Sequence, residues 1–256
     1  MPEGLEAEIW RRAAEGLVGR TIERVEHDAR CAPDGFDAVL TGASIEEVSR
    51  RGKVLVVHTD RADLGVHFGM TGRAVFDGVA AIEKLEYASG ADRPDWDRLR
   101  LFTDGGDDPA MRMNDPRRLG RLSLDADLDG LGPDLLTLTA AELSGGLGRR
   151  SVAIKSALLD QRVVAGLGNL CADEVLHWAD IAPHRPADSL TTSEVQAIAS
   201  ACVDRLPTML RAGGSTHGTL DPQVRAATPP CPRCAGPIER TTIGGRTAVW
   251  CRSHQR

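Results

Sequence analysis

The spacing of hydrophobic residues changes near residue 128 and predicts a different architecture on each side. Before that point, apolar residues at helical spacing predict a leading helix over residues 5–18, which Gly19 ends. Short segments of β character then follow, separated by Gly, Asp and Pro. The predicted strands are 21–27, 44–48, 54–59, 64–68, 74–76, 98–102 and 121–124. Many short strands with one covering helix predict a β-sandwich.

Beyond residue 128 the apolar positions recur with the helical period. The predicted helices are 140–147, 151–159, 172–179 and 192–211, and a loop rich in Gly, Thr, Ala and Pro follows over 212–230. Thr191 and Glu194 form a capping box for the last helix, which Pro207 is expected to kink or end early. The chain is therefore expected to be α+β. Its expected domains are 1–128, 129–220 and 221–256.

Composition and charge narrow the class of protein. The 256 residues are 41% hydrophobic, which is enough for a core, and no apolar run is long enough for a membrane span or a signal peptide. We therefore expect a cytoplasmic protein. The net charge of −6 is uneven, because residues 146–256 carry 13 Lys and Arg against 9 Asp and Glu, whereas residues 1–145 carry 18 against 28. A basic C-terminal part is compatible with local contact to DNA.

The end of the chain carries a candidate metal site. Three of the six cysteines lie in the last 26 residues, as Cys231 and Cys234 followed by Cys251 with His254. Two ligand pairs, each with two residues between, match the spacing of a zinc-binding hairpin. The alternative is a set of reduced thiols that pack as small apolar residues. We expect one structural Zn²⁺ ion with these four residues as ligands.

The first residues carry candidate chemistry. Removal of Met1 would expose the secondary amine of Pro2, which is partly unprotonated at neutral pH because such amines have a pKa of about 7.7–8.0. Amines that attack a sugar or carbonyl carbon form Schiff bases, and Glu3 is close enough in sequence to supply the acid. The alternative is an ordinary helix start, with Pro at the first position and carboxylates near the positive end of the helix.

Four further motifs accompany this N-terminal pair and the Cys/His tail. They are Arg51-Gly52-Lys53, His67-Phe68-Gly69-Met70-Thr71-Gly72, Asp115-Pro116-Arg117-Arg118-Leu119-Gly120 and Gly166-Leu167-Gly168-Asn169-Leu170-Cys171-Ala172-Asp173-Glu174. In this order and with these spacings, the motifs resemble the formamidopyrimidine-DNA glycosylase / endonuclease VIII family. The resemblance extends from residue 2 to residue 254.

The resemblance implies an N-terminal β-sandwich with a leading helix, a helix–two-turn–helix module and a zinc-finger hairpin, with DNA in the cleft between the halves. It implies a bifunctional DNA glycosylase and AP lyase of base-excision repair. The amine of Pro2 attacks C1′ of the damaged nucleotide, the base leaves, and β,δ-elimination follows. Glu3 protonates the ring oxygen of the sugar or assists proton transfer during elimination, and Lys53 acts at the lesion phosphate or sugar.

The resemblance also assigns DNA contacts. Met70 and Leu119 are expected to fill the space left by the extruded nucleotide, and Arg117 to reach the orphaned base. Without the resemblance, Met70 would be read as core filler, and Arg117 with Arg118 as a solvated turn. The expected phosphate contacts are His67, Lys155, Asn169 with the backbone N–H groups at its helix start, and Arg246.

The partner is expected to be double-stranded DNA with damaged bases or abasic sites, bound by a monomer in association with the nucleoid and without a membrane. The lesion stays open at this point. Gly4 resembles the branch of the family that favours oxidised pyrimidines, whereas Asp115-Pro116-Arg117-Arg118 resembles the branch that favours oxidised purines. A protein that binds damaged or abasic DNA with weak catalysis, or without lyase action, is the alternative function.

Overall fold

The computed structural model describes residues 2–83, 85–86 and 90–256, which form two compact units. The first unit comprises Pro2 and Glu6–Asp129, and the second comprises Glu3–Leu5 and Gly130–Arg256. Strands dominate the first unit and helices the second. Within the described residues, no helix has the length and apolar character needed to cross a membrane. The predicted α+β class is confirmed.

The first unit contains two antiparallel four-stranded sheets. Its elements are α1 (Gly4–Ala14), β1 (Ile22–His27), α2 (Phe36–Leu40), β2 (Ile45–Arg51), β3 (Val54–Thr59), β4 (Leu64–His67), β5 (Arg73–Phe76), β6 (Asp97–Thr103), β7 (Met111–Asn114) and β8 (Arg121–Leu124). The strand orders are β1-β6-β7-β5 and β2-β3-β4-β8. Residues of both sheets share one core, in which Trp10 of α1 lies 4.0 Å from Phe68 between ring centroids. The predicted sandwich and its leading helix are confirmed.

Two elements of this unit were absent from the prediction. Strand β7 pairs with both β5 and β6, but its sequence Met-Arg-Met-Asn alternates over too few residues to be recognised. Asn114 is nonetheless buried there, because its side-chain amide donates to the Arg93 carbonyl and to Asp97. The five-residue helix α2 is likewise too short to show a period.

The second unit combines helices with a C-terminal β-hairpin. Its elements are α3 (Ala140–Leu147), α4 (Ile154–Leu159), α5 (Asn169–Trp178), α6 (Thr192–Ala212), α7 (Pro222–Ala227), β9 (Ile238–Ile243) and β10 (Arg246–Cys251). The capping box of Thr191 and Glu194 is confirmed. The expected early end at Pro207 is wrong, since α6 continues to Ala212. Leu206, Met209 and Leu210 are buried around Pro207, and this packing outweighs the loss of one backbone donor.

Helix α7 lies within the predicted loop 212–230. The side chain of Asp221 accepts hydrogen bonds from the backbone N–H groups of Gln223 and Val224, and Pro222 occupies the first helical turn. Asp followed by Pro is a recognised start signal for a helix. The sequence therefore carried the information, but the six-residue helix is too short to show an apolar period.

Candidate functional site

Three connections of the first unit lie at one end of the sheet β2-β3-β4-β8. The turn Gly52-Lys53 joins β2 to β3, β4 ends at His67, and β8 begins at Arg121. The register places Val54 opposite His67 and His67 opposite Arg121. The segments after β4 and before β8 carry Met70 and Arg117–Leu119 in the sequence. This end of the sheet therefore brings together the site residues predicted for the first unit outside its N-terminus.

The side chain of Arg50 stabilises the Gly52-Lys53 turn. Its Nη1 donates to the Gly52 carbonyl over 2.8 Å, and its Nε lies 3.2 Å from Glu8 of α1. Gly52 has φ +59°, a conformation that glycine adopts without strain and that suits a two-residue hairpin turn. Arginine side chains around Glu8 outweigh its partial burial and lower its pKa. The turn presents Lys53 half-exposed at the end of the sheet.

A buried carboxylate joins the other two connections. Asp115 is fully buried and accepts a hydrogen bond of 2.6 Å from the Thr71 hydroxyl. It also accepts from the backbone N–H groups of Leu119 and Gly120, at 2.7 and 2.8 Å. A Cβ at Gly69 would lie 2.5 Å from the Leu119 carbonyl, so only glycine permits this backbone approach. Met70 and Leu119 are therefore carried on two segments that touch.

The exposure of these segments differs by residue. Met70 is half-buried, whereas Leu119 is 38% exposed, which is unusual for a large apolar side chain. Arg117 is exposed, and Arg118 has φ +54° with its Nε 2.9 Å from Asp28. Arg118 is therefore engaged in an ion pair in this structure, while Arg117 lies at the surface.

His67 lies beside two cations. Partial desolvation, together with the charges of Lys53 and Arg121, lowers the pKa of its imidazole. Its Nδ1 accepts from the Gly69 backbone N–H over 3.2 Å, which leaves the proton of the neutral ring on Nε2. An imidazole held in this tautomer can donate a hydrogen bond to an anion.

In the second unit, Glu3 caps helix α5. Its fully buried carboxylate accepts from the backbone N–H groups of Gly168, Leu170 and Cys171, at 3.1, 2.8 and 3.0 Å. These three groups are thus satisfied by Glu3, so they are not available for the phosphate contact that was expected of them. The cap also explains why α5 begins at Asn169 rather than at residue 172, as was predicted. Pro2, next in sequence, is buried.

Asn169, the first residue of α5, is half-buried. Its side-chain oxygen is buried and has no hydrogen-bond partner among the described residues. A buried polar atom without a partner costs stability and marks a position where a ligand group can complete the bonding. This oxygen can only accept a hydrogen bond, so a contact of the Asn169 side chain with phosphate would come from its NH2 group, which donates.

Lys155 is placed differently from the prediction. Its ammonium group has no exposed surface, lies 2.6 Å from Asp173 and donates to the Thr247 carbonyl of β10. Asp173 also accepts from Arg225 of α7 over 2.8 Å and from the Val249 backbone over 3.1 Å. The expected direct phosphate contact of Lys155 is corrected to an internal role, in which this ion-pair network joins α4, α5, α7 and the hairpin.

The predicted metal ligands converge at the base of the hairpin. The donor atoms of Cys231, Cys234, Cys251 and His254 all lie within 4.8 Å of one another. The Sγ atoms of Cys234 and Cys251 are 3.5 Å apart, close to the roughly 3.8 Å that tetrahedral zinc with 2.3 Å bonds to sulfur requires. Three thiols with one imidazole are a donor set that suits Zn²⁺. The cluster can hold a metal ion.

The last residues keep His254 in place. The side-chain amide of Gln255 donates to the Ile181 carbonyl over 2.9 Å, and its oxygen accepts from the Cys251 backbone N–H over 2.7 Å. The Arg256 backbone N–H donates to the Asp180 carbonyl over 3.0 Å. Arg246 lies at the other end of β10, exposed and next to the turn Gly244-Gly245.

Two family models together cover most of the chain. The formamidopyrimidine-DNA glycosylase N-terminal domain matches residues 1–122, and the H2TH domain of the same enzymes matches residues 130–221. The chain belongs to the formamidopyrimidine-DNA glycosylase family. The predicted resemblance and the predicted enzyme class, a DNA glycosylase of DNA repair, are thereby confirmed.

Whole-chain comparisons agree with these domain matches. The formamidopyrimidine-DNA glycosylases of Acidiphilium cryptum and Phenylobacterium zucineum are 34% and 35% identical to this chain, with all of each chain covered. The crystal structure of the MutM (Fpg) protein from Thermus thermophilus superposes with a TM-score of 0.81 at 32% identity, covering 99% of this chain and 98% of that one. The Lactococcus lactis Fpg, in complex with DNA that contains an abasic site, gives a TM-score of 0.80 at 26% identity over 99% of both chains.

Several residues that build the site were missed by sequence reasoning. Asp115 and Asp173 were identified only as members of motifs, without a role of their own. No role was predicted for Arg50, Arg121 and Arg225. The one available signal was the position of Asp173 and Glu174, two adjacent carboxylates within an otherwise apolar stretch of a motif. Some of their partners lie far away in sequence and could not be inferred from it, such as Thr71 for Asp115, Glu8 for Arg50 and Asp173 for Arg225.

Proposed function

We propose that this protein is a bifunctional DNA glycosylase and AP lyase that removes oxidised or ring-opened bases from double-stranded DNA. The observation that carries the proposal is the fixed position of Glu3, next in sequence to Pro2, in a chain of this family. Solved complexes of the Lactococcus lactis relative contain Fapy-dG, an abasic site or an oxidised pyrimidine in DNA. These are the substrate classes that we propose for this chain.

The proposed nucleophile is the amine of Pro2 after removal of Met1. Its nitrogen attacks C1′ of the extruded nucleotide, the bond from C1′ to the base breaks, and the base leaves with a proton. Opening of the sugar ring gives an iminium ion. Loss of a C2′ proton then expels the 3′ phosphate, a second elimination expels the 5′ phosphate, and water releases the sugar remnant from Pro2.

Glu3 and Lys53 are the other proposed catalytic residues. Three backbone donors fix the Glu3 carboxylate, so it meets the sugar without having to reorganise. We propose that it protonates the ring oxygen or carries protons during the eliminations. Lys53 lies in the turn that the Arg50 side chain stabilises. We propose that its ammonium group neutralises the lesion phosphate or contacts the sugar.

The proposed DNA contacts follow the placement of the side chains. Met70 and Leu119, carried on touching segments, occupy the space of the extruded nucleotide, and Arg117 reaches the orphaned base with Arg118 beside it. His67, Asn169 and Arg246 bind phosphates, whereas Lys155 supports the hairpin that carries Arg246. We further propose one structural Zn²⁺ ion on the Cys/His cluster, a monomer, and functional domains at 1–128, 129–220 and 221–256.

An incision assay tests this function. Purified protein, with Met1 removal verified by mass, is incubated with a duplex that carries one ring-opened purine, one oxidised pyrimidine or one abasic site. The proposal predicts release of the base and a one-nucleotide gap with phosphate at both ends. Base release without strand cleavage would contradict the lyase part, and tight binding without base release would identify a damage-binding protein instead.

A further inference from the structure

A transverse row of residues crosses the sheet β2-β3-β4-β8 at the end that carries the candidate site. Arg51 lies opposite Val54, Val54 opposite His67, and His67 opposite Arg121. Directly opposite residues of antiparallel strands have side chains on the same face. The row therefore presents three basic side chains on one face, and Lys53 follows in the adjoining turn. No carboxylate occupies any of these positions.

Arg121 is, like Arg51, a basic residue of this row for which the proposed function provides no role. Its side chain is exposed, and its Nη1 donates to the Gly120 carbonyl over 2.8 Å and to the Arg118 carbonyl over 3.4 Å. These bonds hold the guanidinium group against the segment that precedes β8. Among the described residues, no acceptor bonds to its Nε or Nη2 and no carboxylate forms an ion pair with it.

The unused donors of Arg121 have the geometry of an anion site. Nε–H and the Nη2 protons form the planar fork that binds two phosphate oxygens at once. The charge of Arg121 also reaches His67, since it contributes to the lowered pKa of that imidazole. Adjacent strands are about 5 Å apart, so Lys53, His67 and Arg121 span about 10–15 Å, enough for consecutive phosphates of one strand.

We propose that Arg121 is a phosphate-binding residue that extends the DNA contact of Lys53 and His67 along the same strand. The inference rests on the proposed function, because that function makes DNA the partner of this end of the sheet. Arg121 binds the backbone and reads no base, so it contributes equally to damaged and undamaged duplexes.

The test compares Arg121→Gln with Arg61→Gln. Arg61 is also an exposed arginine, but it lies at the opposite end of the same sheet, where its Nη1 donates to the Thr41 carbonyl. Affinity for a duplex with a tetrahydrofuran abasic analogue is measured by fluorescence anisotropy at several salt concentrations. Arg121→Gln is expected to bind about tenfold more weakly at low salt and to reduce the salt slope by about 1. Arg121→Lys is expected to retain the slope, and Arg61→Gln to match the wild type.

Two outcomes overturn the proposal. An unchanged salt slope in Arg121→Gln shows that its charge meets no phosphate, and an equal loss in Arg61→Gln shows a general effect of net charge. Borohydride trapping of the wild type on abasic DNA separates this failure from that of the function. An adduct with an unchanged slope overturns the role of Arg121 alone. Absence of the adduct overturns the lyase function, while a reduced slope would still support Arg121 as a DNA contact.

Discussion

Asp115 shows how one side chain can set the position of several candidate contacts. It accepts hydrogen bonds from Thr71, Arg117, Leu119 and Gly120, and it is fully buried. Three of these donors are backbone N–H groups, so the residue acts through the backbone that it holds. The sequence analysis assigned roles to the exposed residues Arg117 and Leu119 of this motif. The buried first residue, Asp115, determines where they lie.

Asp115→Asn is expected to lower the free energy of unfolding by about 1–3 kcal/mol, because the new amide group faces backbone N–H groups and leaves donors unpaired. Affinity for abasic DNA should fall as well, since Arg117 and Leu119 lose their fixed backbone. Urea denaturation and anisotropy measure both effects. Asp108→Asn, an exposed carboxylate of the β6–β7 connection, is the matched control. Equal stability of the two variants would contradict this role for Asp115.

The imidazole of His67 is expected to make DNA affinity depend on pH. In the free protein its pKa lies below the usual value near 6.5, so the ring is neutral at pH 7. A bound phosphate favours the charged ring and raises this pKa, so the complex takes up a proton on Nδ1, which then releases the Gly69 N–H. Affinity should therefore increase as pH falls from 8 towards 6, by at most about tenfold per pH unit. Anisotropy titrations of wild type and His67→Gln over this range test it, and parallel profiles would contradict the contact.

At the scale of elements, the network of Lys155, Asp173 and Arg225 joins helices of the second unit to the hairpin. Lys155 and Asp173 have no exposed side-chain surface, and Arg225 has little. Burial of charges costs free energy that only their mutual pairing offsets. The hairpin that presents Arg246 thus depends on a buried ion-pair network that contacts the Thr247 and Val249 backbone of β10.

Asp173→Asn should destabilise the second unit by about 3–5 kcal/mol, because it leaves two buried cations without a countercharge. Thermal and urea unfolding measure the change. Glu239→Gln removes one partner of the exposed hairpin ion pair with Arg252 and should cost less than about 1 kcal/mol. Similar losses in the two variants would show that burial of the network contributes nothing.

The Cys/His cluster is expected to hold a metal ion that stabilises the hairpin. The purified protein should contain one zinc per chain, and a strong chelator should unfold the hairpin and weaken DNA binding, because metal binding supplies much of the folding energy of such hairpins. Elemental analysis and circular dichroism follow the metal and the fold. His254→Cys should retain zinc, since a thiolate is an equally suitable ligand. A hairpin that keeps its structure and function without metal would contradict the assignment.

At the scale of the whole molecule, net charge is a poor guide to where DNA binds. The first unit is rich in carboxylates, yet many of them pair with arginines of the same unit. Asp28 lies within 3.2 Å of Arg98, and Asp92 and Asp97 both bond Arg112. Because these carboxylates are paired, the surface potential depends mainly on charged groups that lack a countercharge. Within the described part of the chain, Arg121 is one such group. An acidic total is therefore consistent with a basic row at one end of a sheet.

The sequence predicted those features whose causes lie close together along the chain. The seven predicted strands, the capping box of Thr191 and the Cys/His spacing depend on neighbouring residues, and all three appear in the structure. The cap of α5 by Glu3 joins residues more than 160 positions apart, so no local pattern encodes it. No local pattern encodes the burial of Lys155 either, because its partner Asp173 belongs to another helix.

The most direct test of the central claim is borohydride trapping of the protein on duplex DNA with an abasic site. Protein with Met1 removed, as verified by mass, is compared with Pro2→Gly and with Pro207→Ala, a matched proline remote in sequence. A covalent adduct is expected in the wild type and in Pro207→Ala. In Pro2→Gly, which replaces the secondary amine with a primary one, little or no adduct is expected. A correctly processed wild type that binds the DNA but gives no adduct would contradict Pro2 as the nucleophile.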